Sequence, residues 1–184
     1  MSPDPALAKS RPAVARSPGV RWAAAGITVA VLAADQVTKS LVLAGRIRDG
    51  SSLGWLTVRV VRNHGASDSI LSGYPILVTL AALAITAVAA AFALRVSGRG
   101  AALCLAAVLG GALGNLADRL LRSPGFGRGG VVDWIHLSFA GGGSLDLADL
   151  AIQFGVLGAI AVMLVAGRSR LPCGDAREPT GAHD

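Results

Sequence analysis

Residues 75–94 read PILVTLAALAITAVAAAFAL, and no Asp, Glu, Lys or Arg occurs anywhere between 69 and 94. An uncharged apolar run of about 18–20 residues has the length an α-helix needs to cross the hydrocarbon of a bilayer. Two more charge-free stretches, 100–117 and 150–167, repeat the pattern. A further apolar stretch runs from Trp22 to Ala44, interrupted by Asp35-Gln36-Val37-Thr38-Lys39. Its first part, 22–34, has the length and charged flank of a signal-peptide core, but apolar residues resume after Lys39, so a retained span fits better. Four spans follow, at about 22–44, 75–94, 101–120 and 146–166. The whole chain of 184 residues is 53% hydrophobic and 15% charged, with a mean hydropathy of +0.59. That balance excludes an ordinary soluble domain, a disordered chain and a disulfide scaffold. The fold class is an α-helical polytopic membrane protein with four transmembrane helices.

The remaining segments organise around these spans. Residues 1–21, rich in Pro, Ser and basic side chains, read as a disordered cytoplasmic tail, and 168–184 as a second tail. Within 45–73, the partly alternating, β-branched stretch 55–62 reads as a strand, and Asn63-His64-Gly65 supplies turn chemistry. Residues 122–145 are glycine-rich, with a short apolar-aromatic piece at 131–139. Four spans put both termini on one side, which holds nine of the Lys and Arg residues against eight on the other. The basic N-terminal tail and the Arg95/Arg99 turn tip that narrow margin towards cytoplasmic termini. A net charge of +6 suits nucleic acid in a soluble protein; beside membrane spans it suits anionic headgroups instead, and no nucleic-acid partner is expected. Cys104 lies in an apolar run and Cys173 in the tail, so no disulfide and no Cys-based metal site is expected.

The acids carry the functional signal. Outside the tails they are Asp35, Asp49, Asp68, Asp118, Asp133, Asp146 and Asp149, all predicted on the outer side. A carboxylate near hydrocarbon costs on the order of 2.5–3.5 kcal/mol at mid-helix and less at the interface. The third span ends Gly110-Gly111-Ala112-Leu113-Gly114-Asn115-Leu116-Ala117-Asp118-Arg119. Gly111, Asn115 and Asp118 share a helix face there, and Gly110 with Gly114 permits close helix approach. The fourth span opens Leu145-Asp146-Leu147-Ala148-Asp149, with Gln153 on the same face as both acids. Capping of a helix N-terminus accounts for one acid, but not for two with Asp133 just upstream. Two carboxylates brought together do not both ionise easily; one keeps a proton while the other acts as a base towards water. Spacing alone leaves open which two.

These residues also resemble bacterial lipoprotein signal peptidase (signal peptidase II). The motifs are Asp35-Gln36-x-x-Lys39, Asn63-x-Gly65-Ala66, Gly110-Gly111-Ala112-x-Gly114-Asn115-x-x-Asp118-Arg119, Val131-Val132-Asp133-Trp134 and Ala148-Asp149, in that order over about 22–167. The resemblance implies an extracytoplasmic β-platform after the first of four helices, and an intramembrane aspartic endopeptidase. The implied substrate is a prolipoprotein whose cysteine already carries diacylglycerol, cut before that cysteine at the outer face of the plasma membrane. By position, Asp133 and Asp149 would be the catalytic pair. Asn115, Asp118 and Arg119 would support the site, Asp35 and Lys39 would brace the first helix, and Asn63 and Gly65 would face the substrate. No cofactor or metal is implied, membrane lipid is a partner, and a monomer is expected. Three departures stand out: Asp146 where the family usually has asparagine, Ser67-Asp68 in the platform motif, and a longer stretch at 122–130.

Asp146 therefore has two readings. Ionised, it would raise the proton affinity of the pair by like-charge repulsion; protonated, it would donate a hydrogen bond as an asparagine amide does. By analogy with the family motif, Asp146→Asn should be tolerated. A zinc protease needs a ligand set that the scattered His64, His136 and His183 do not offer, and a serine protease is suggested only by Ser67. The alternatives from other classes are a catalytically impaired relative that binds lipoprotein precursors and a small ion-coupled transporter. The transporter predicts acids spread through the membrane depth rather than gathered at one surface.

Overall fold

A computed structural model describes residues 17–65, 71, 73–138 and 143–168. Four helices are long and apolar enough to cross a membrane: α1 (Pro18–Leu43), α2 (Pro75–Arg95), α3 (Arg99–Leu121) and α4 (Leu147–Arg168). The sequence boundaries for 75–94, 101–120 and 146–166 fall within two residues of these. The first helix starts four residues before Trp22, because Pro18 sits at its first turn, where a missing N–H costs nothing. Most of the two tails, and Ser67, Asp68, Cys173 and His183, lie outside the described residues.

The helices bury little of themselves against one another except α3. Half of its apolar window is inside the protein, against 17% for α1 and α2 and 11% for α4, so α3 is the central helix. Glycines make that position available. A Cβ at Gly110 would meet the Thr28 carbonyl oxygen at 2.7 Å and Val31, and one at Gly111 would run into the Ala148 carbonyl. On the other side, a Cβ at Gly155 would meet Val108 at 2.6 Å. Close approach of this kind is what small residues provide where lipid tails compete with side chains for packing. It also brings Thr28 Oγ1 within 2.9 Å of the Ala106 carbonyl oxygen, to which it donates. The large apolar side chains left outside, such as Leu80, Val88 and Phe92 on α2 and Phe154, Leu157 and Leu164 on α4, face outward where lipid would lie.

A four-stranded antiparallel sheet caps one end of the bundle, in the order β1 (Ser52–Leu53), β2 (Leu56–Asn63), β3 (Val131–Leu137), β4 (Ser144–Leu145). The β1–β2 hairpin turns at Gly54, whose φ of +65° is open to glycine at no steric cost. The strand expected at 55–62 is thus β2, moved by one residue. Its main partner is the piece at 131–139, which carries β3 and pairs Asn63 with Val131 and Val61 with Asp133. The sheet lies at the end where α1 and α3 finish and α2 and α4 begin.

Candidate active site

The site grows from the last turns of α1 and α3, the first turn of α4 and the strand β3. On α1, Asp35 and Lys39 stand one turn apart and are both fully buried, an arrangement affordable only if every charge finds a partner. Lys39 Nζ lies 2.8 Å from Asp35, 2.9 Å from Asp118 on α3 and 2.7 Å from Asp146, the residue before α4. It also donates to Asn115 Oδ1 at 3.1 Å. One ammonium thereby joins three segments of the chain. Asp118 is further held by Arg122, the residue that ends α3 one turn later, and by Gln36, and its Oδ2 accepts from the Val132 amide at 3.2 Å. That last bond fixes β3 against α3 one residue before Asp133.

The start of α4 is capped by two acids from different parts of the chain. The Ala148 amide donates to Asp35 Oδ1 at 3.1 Å, and the Asp149 amide donates to Asp146 Oδ1 at 2.7 Å. Free amides at a helix N-terminus attract negative charge, which helps to hold α4 at this depth. Asp149 itself accepts from Asn115 Nδ2 at 3.0 Å, so Asn115 spans Lys39 and Asp149 with its two amide atoms. Asp133, 5% exposed, accepts from Asn63 Nδ2 at 3.4 Å. Carboxylate oxygens of Asp133, Asp146 and Asp149 lie within 4.8 Å of one another.

Asp133 and Asp149 open onto a cavity of about 360 Å³, together with Asn63, Asn115, Arg119 and Gln153. Arg119 Nη2 donates to the Gly65 carbonyl at 2.8 Å, while its buried Nη1 has no hydrogen-bond partner among the described residues. The Gly65 amide in turn donates to Asn63 Oδ1 at 3.0 Å, closing the turn after β2. Burial, then the neighbouring charges of Asp146 and Asp149, push the Asp133 carboxyl up to about 7. Burial likewise lifts Asp146 to about 7, against the opposing pull of Lys39. A value in that range leaves Asp133 able to keep or release its proton near neutrality.

Of the residues singled out in the sequence, Asp133, Asp149, Asn115, Arg119 and Asn63 line the cavity. Asp35, Lys39, Asp118 and Asp146 form a buried layer behind it, and Gly65 stands back from it, held by Arg119. Gln36 and Arg122 were not singled out, yet Gln36 donates to Gly114, Asp35 and Asp118, each at 3.1 Å. Its place inside Asp35-Gln36-x-x-Lys39 was the available signal. Arg122, one turn after Asp118, was marked by that i,i+4 spacing. His136 shares a contact of 3.3 Å with Ser144, and His64 packs over Gly130; neither lines the cavity. Three carboxylates this close are also the group among the described residues that could share a metal ion. Asp146 already has the Lys39 ammonium in that role.

The family model described as signal peptidase (SPase) II matches residues 27–165 of the chain. The lipoprotein signal peptidase of Leifsonia xyli is 33% identical over 157 residues, covering 79% of this chain and 72% of that protein. That of Rhodococcus jostii is 36% identical over 140 residues, covering 73% and 69%. That of Streptomyces coelicolor is 37% identical over 123 residues, covering 65% of this chain and 56% of that protein. Among solved structures, a bacterial membrane enzyme determined by the in meso method at 2.3 Å resolution superposes with a TM-score of 0.66 at 26% identity. It is covered over 92% of its length by 81% of this chain.

Proposed function

Because the chain belongs to the signal peptidase II family, and is therefore a membrane protease that removes signal peptides from prolipoproteins, we propose that it works as an aspartic endopeptidase. Asp133 and Asp149 are the catalytic pair, and the bond cut is the one before a diacylglyceryl-modified cysteine. The observation that carries this reading is the convergence of two carboxylates from separate elements, β3 and α4, on one cavity at the end of an apolar bundle. Oxygens within 4.8 Å leave room for one water between them.

In the reaction, the ionised carboxylate removes a proton from that water as it attacks the scissile carbonyl. The protonated partner donates to the carbonyl oxygen, and the proton taken from water then passes to the leaving amine. Asn115 and Asn63 hold the two side chains in place, each by a hydrogen bond to one of them. The Arg119 guanidinium, in the cavity wall, offers its positive charge to a backbone carbonyl of the bound precursor. The signal helix and acyl chains enter sideways from the bilayer between the exposed apolar faces. Binding energy far from the bond then orients the bond itself. One chain holds both carboxylates, so a single copy suffices.

The site faces the extracytoplasmic side and both termini lie in the cytoplasm. In support, exposed Arg21, Arg95 and Arg99 gather at the opposite end of the bundle, where a positive-inside bias would put them. The test is incubation of the purified protein with a diacylglyceryl-modified precursor and with the same precursor unmodified. Cleavage of the modified one alone, before its cysteine, is expected; equal cleavage of both would remove the lipid requirement.

A further inference from the structure

At position 146 an aspartate and an asparagine look interchangeable in sequence. The contacts in this chain make them different. The Oδ2 of Asp146 lies 2.7 Å from the Lys39 ammonium and, among the described residues, carries no hydrogen bond besides that ion pair. Its Oδ1 accepts the Asp149 amide at 2.7 Å. Both oxygens face donors, and these contacts favour the carboxylate against the burial that favours the neutral acid. A protonated carboxyl must aim its O–H at one of two N–H donors. An asparagine in the same rotamer must aim its NH2 at one of them. The side chain is fully buried and does not line the cavity, so it makes no contact there with a precursor.

Resting on the aspartic-pair reading above, we propose that Asp146 is a positioning residue. Its carboxylate ties the Lys39 ammonium to the first turn of α4, fixing the backbone of Asp149, and holds a negative charge beside the Asp133–Asp149 pair that moves the working pH of the enzyme upward. The charged and titratable groups around Asp146 come from every neighbouring element. They are Asp35 and Lys39 on α1, Asp133 on β3 and Asp149 on α4, with Asp118 on α3 reached through the shared Lys39 and Arg119 on α3 acting on Asp133 and Asp149. Lys39 is shared with Asp35 and Asp118, so it does not cancel the charge of Asp146 alone. An unbalanced negative charge within 4.8 Å makes the pair hold its remaining proton to higher pH.

Two variants separate the two parts of this role. Asp146→Asn removes the charge and sets one donor against another. Asp146→Ser removes the charge but keeps an oxygen able to accept the Asp149 amide, as serine does at helix starts. The pH profile of kcat for the diacylglyceryl-modified precursor is measured for both and for the parent protein in detergent. Both variants should shift the profile to lower pH by about one unit. KM should stay within twofold of the parent, and Asp146→Asn should lose roughly tenfold in kcat at its own optimum, the cost of about one hydrogen bond. Profiles of both variants that overlay the parent's would overturn the proposal, as would a shift confined to KM. The same assay on Asp133→Asn and Asp149→Asn tells this failure from that of the underlying reading. Full activity in either of those removes the pair itself, whereas their inactivity beside an unshifted Asp146 profile removes only the role given to Asp146.

Discussion

Replacing Asp133 with asparagine should make the protein more resistant to heat at alkaline pH while abolishing its activity. Burial and the charges of Asp146 and Asp149 raise this carboxyl from an ordinary 3.8 to about 7 in the folded protein. A raised carboxyl means that the folded state binds more protons than the unfolded one between those two values. The stability it contributes is therefore complete below about pH 4 and is lost as pH rises through 7. The rise from 3.8 to about 7 corresponds to a loss of about 4 kcal/mol at pH 8. At pH 5, only slightly above the midpoint of the unfolded carboxyl, the loss is less than about 2 kcal/mol. Asparagine lacks this slope, and its side-chain oxygen still accepts the bond from Asn63. For a chain of this length, each kcal/mol moves the melting temperature by roughly 2–4 °C. The variant should thus melt roughly 8–16 °C above the parent at pH 8, with the gap closing by pH 4. Tryptophan fluorescence of both proteins in detergent, heated at about pH 4, 5, 6.5 and 8, measures it. A variant that melts below the parent at pH 8, or whose advantage is the same at every pH, would refute the electrostatic argument.

Lys39→Met leaves Asp35, Asp118 and Asp146 buried without their shared cation. A cost of roughly 3–5 kcal/mol is expected, seen as loss of monodisperse protein on size-exclusion chromatography; a parent-like melting curve would contradict it. Gly111→Ala drives a methyl into the Ala148 carbonyl and should lower the melting temperature by roughly 5 °C or more. Gly26→Ala meets nothing within 4 Å and should leave the temperature unchanged or raise it slightly. Arg119→Lys keeps the charge but replaces a planar fork by a single nitrogen, which cannot hold the Gly65 carbonyl and keep the guanidinium's place in the cavity wall at once, so kcat/KM for the lipidated precursor should fall about tenfold or more. An unchanged kcat/KM would remove Arg119 from substrate positioning.

The helices were legible because a bilayer span is written in composition. Residues 75–94 need no partner to announce themselves, and the structure extends them by one residue, to Arg95. The sheet was half legible. Strand β2 alternates enough to be read from local pattern, but β3 is buried without alternation over its first three residues and takes its partner from some 70 positions away, so no local period marks it. For the site, helical spacing placed Gly111, Asn115 and Asp118 on one face without saying what that face meets. The structure divides them: Gly111 packs on α4, Asn115 lines the cavity, and Asp118 turns to Lys39 and Arg122. Likewise, Asp146 and Asp149 share a face in sequence, yet one is sealed behind the wall and the other opens through it. Which side a carboxyl takes depends on the cation that reaches it, and Lys39 lies more than a hundred positions upstream.

The central claim is that the acids at 133 and 149 perform the cleavage together. Single-turnover incubation of a diacylglyceryl-modified precursor with the parent protein, Asp133→Asn and Asp149→Asn, at matched enzyme excess near neutral pH, tests it most directly. Complete cleavage by the parent is expected, with a rate at least about a thousandfold lower for each variant. Cleavage by either variant at a rate within about tenfold of the parent would contradict it.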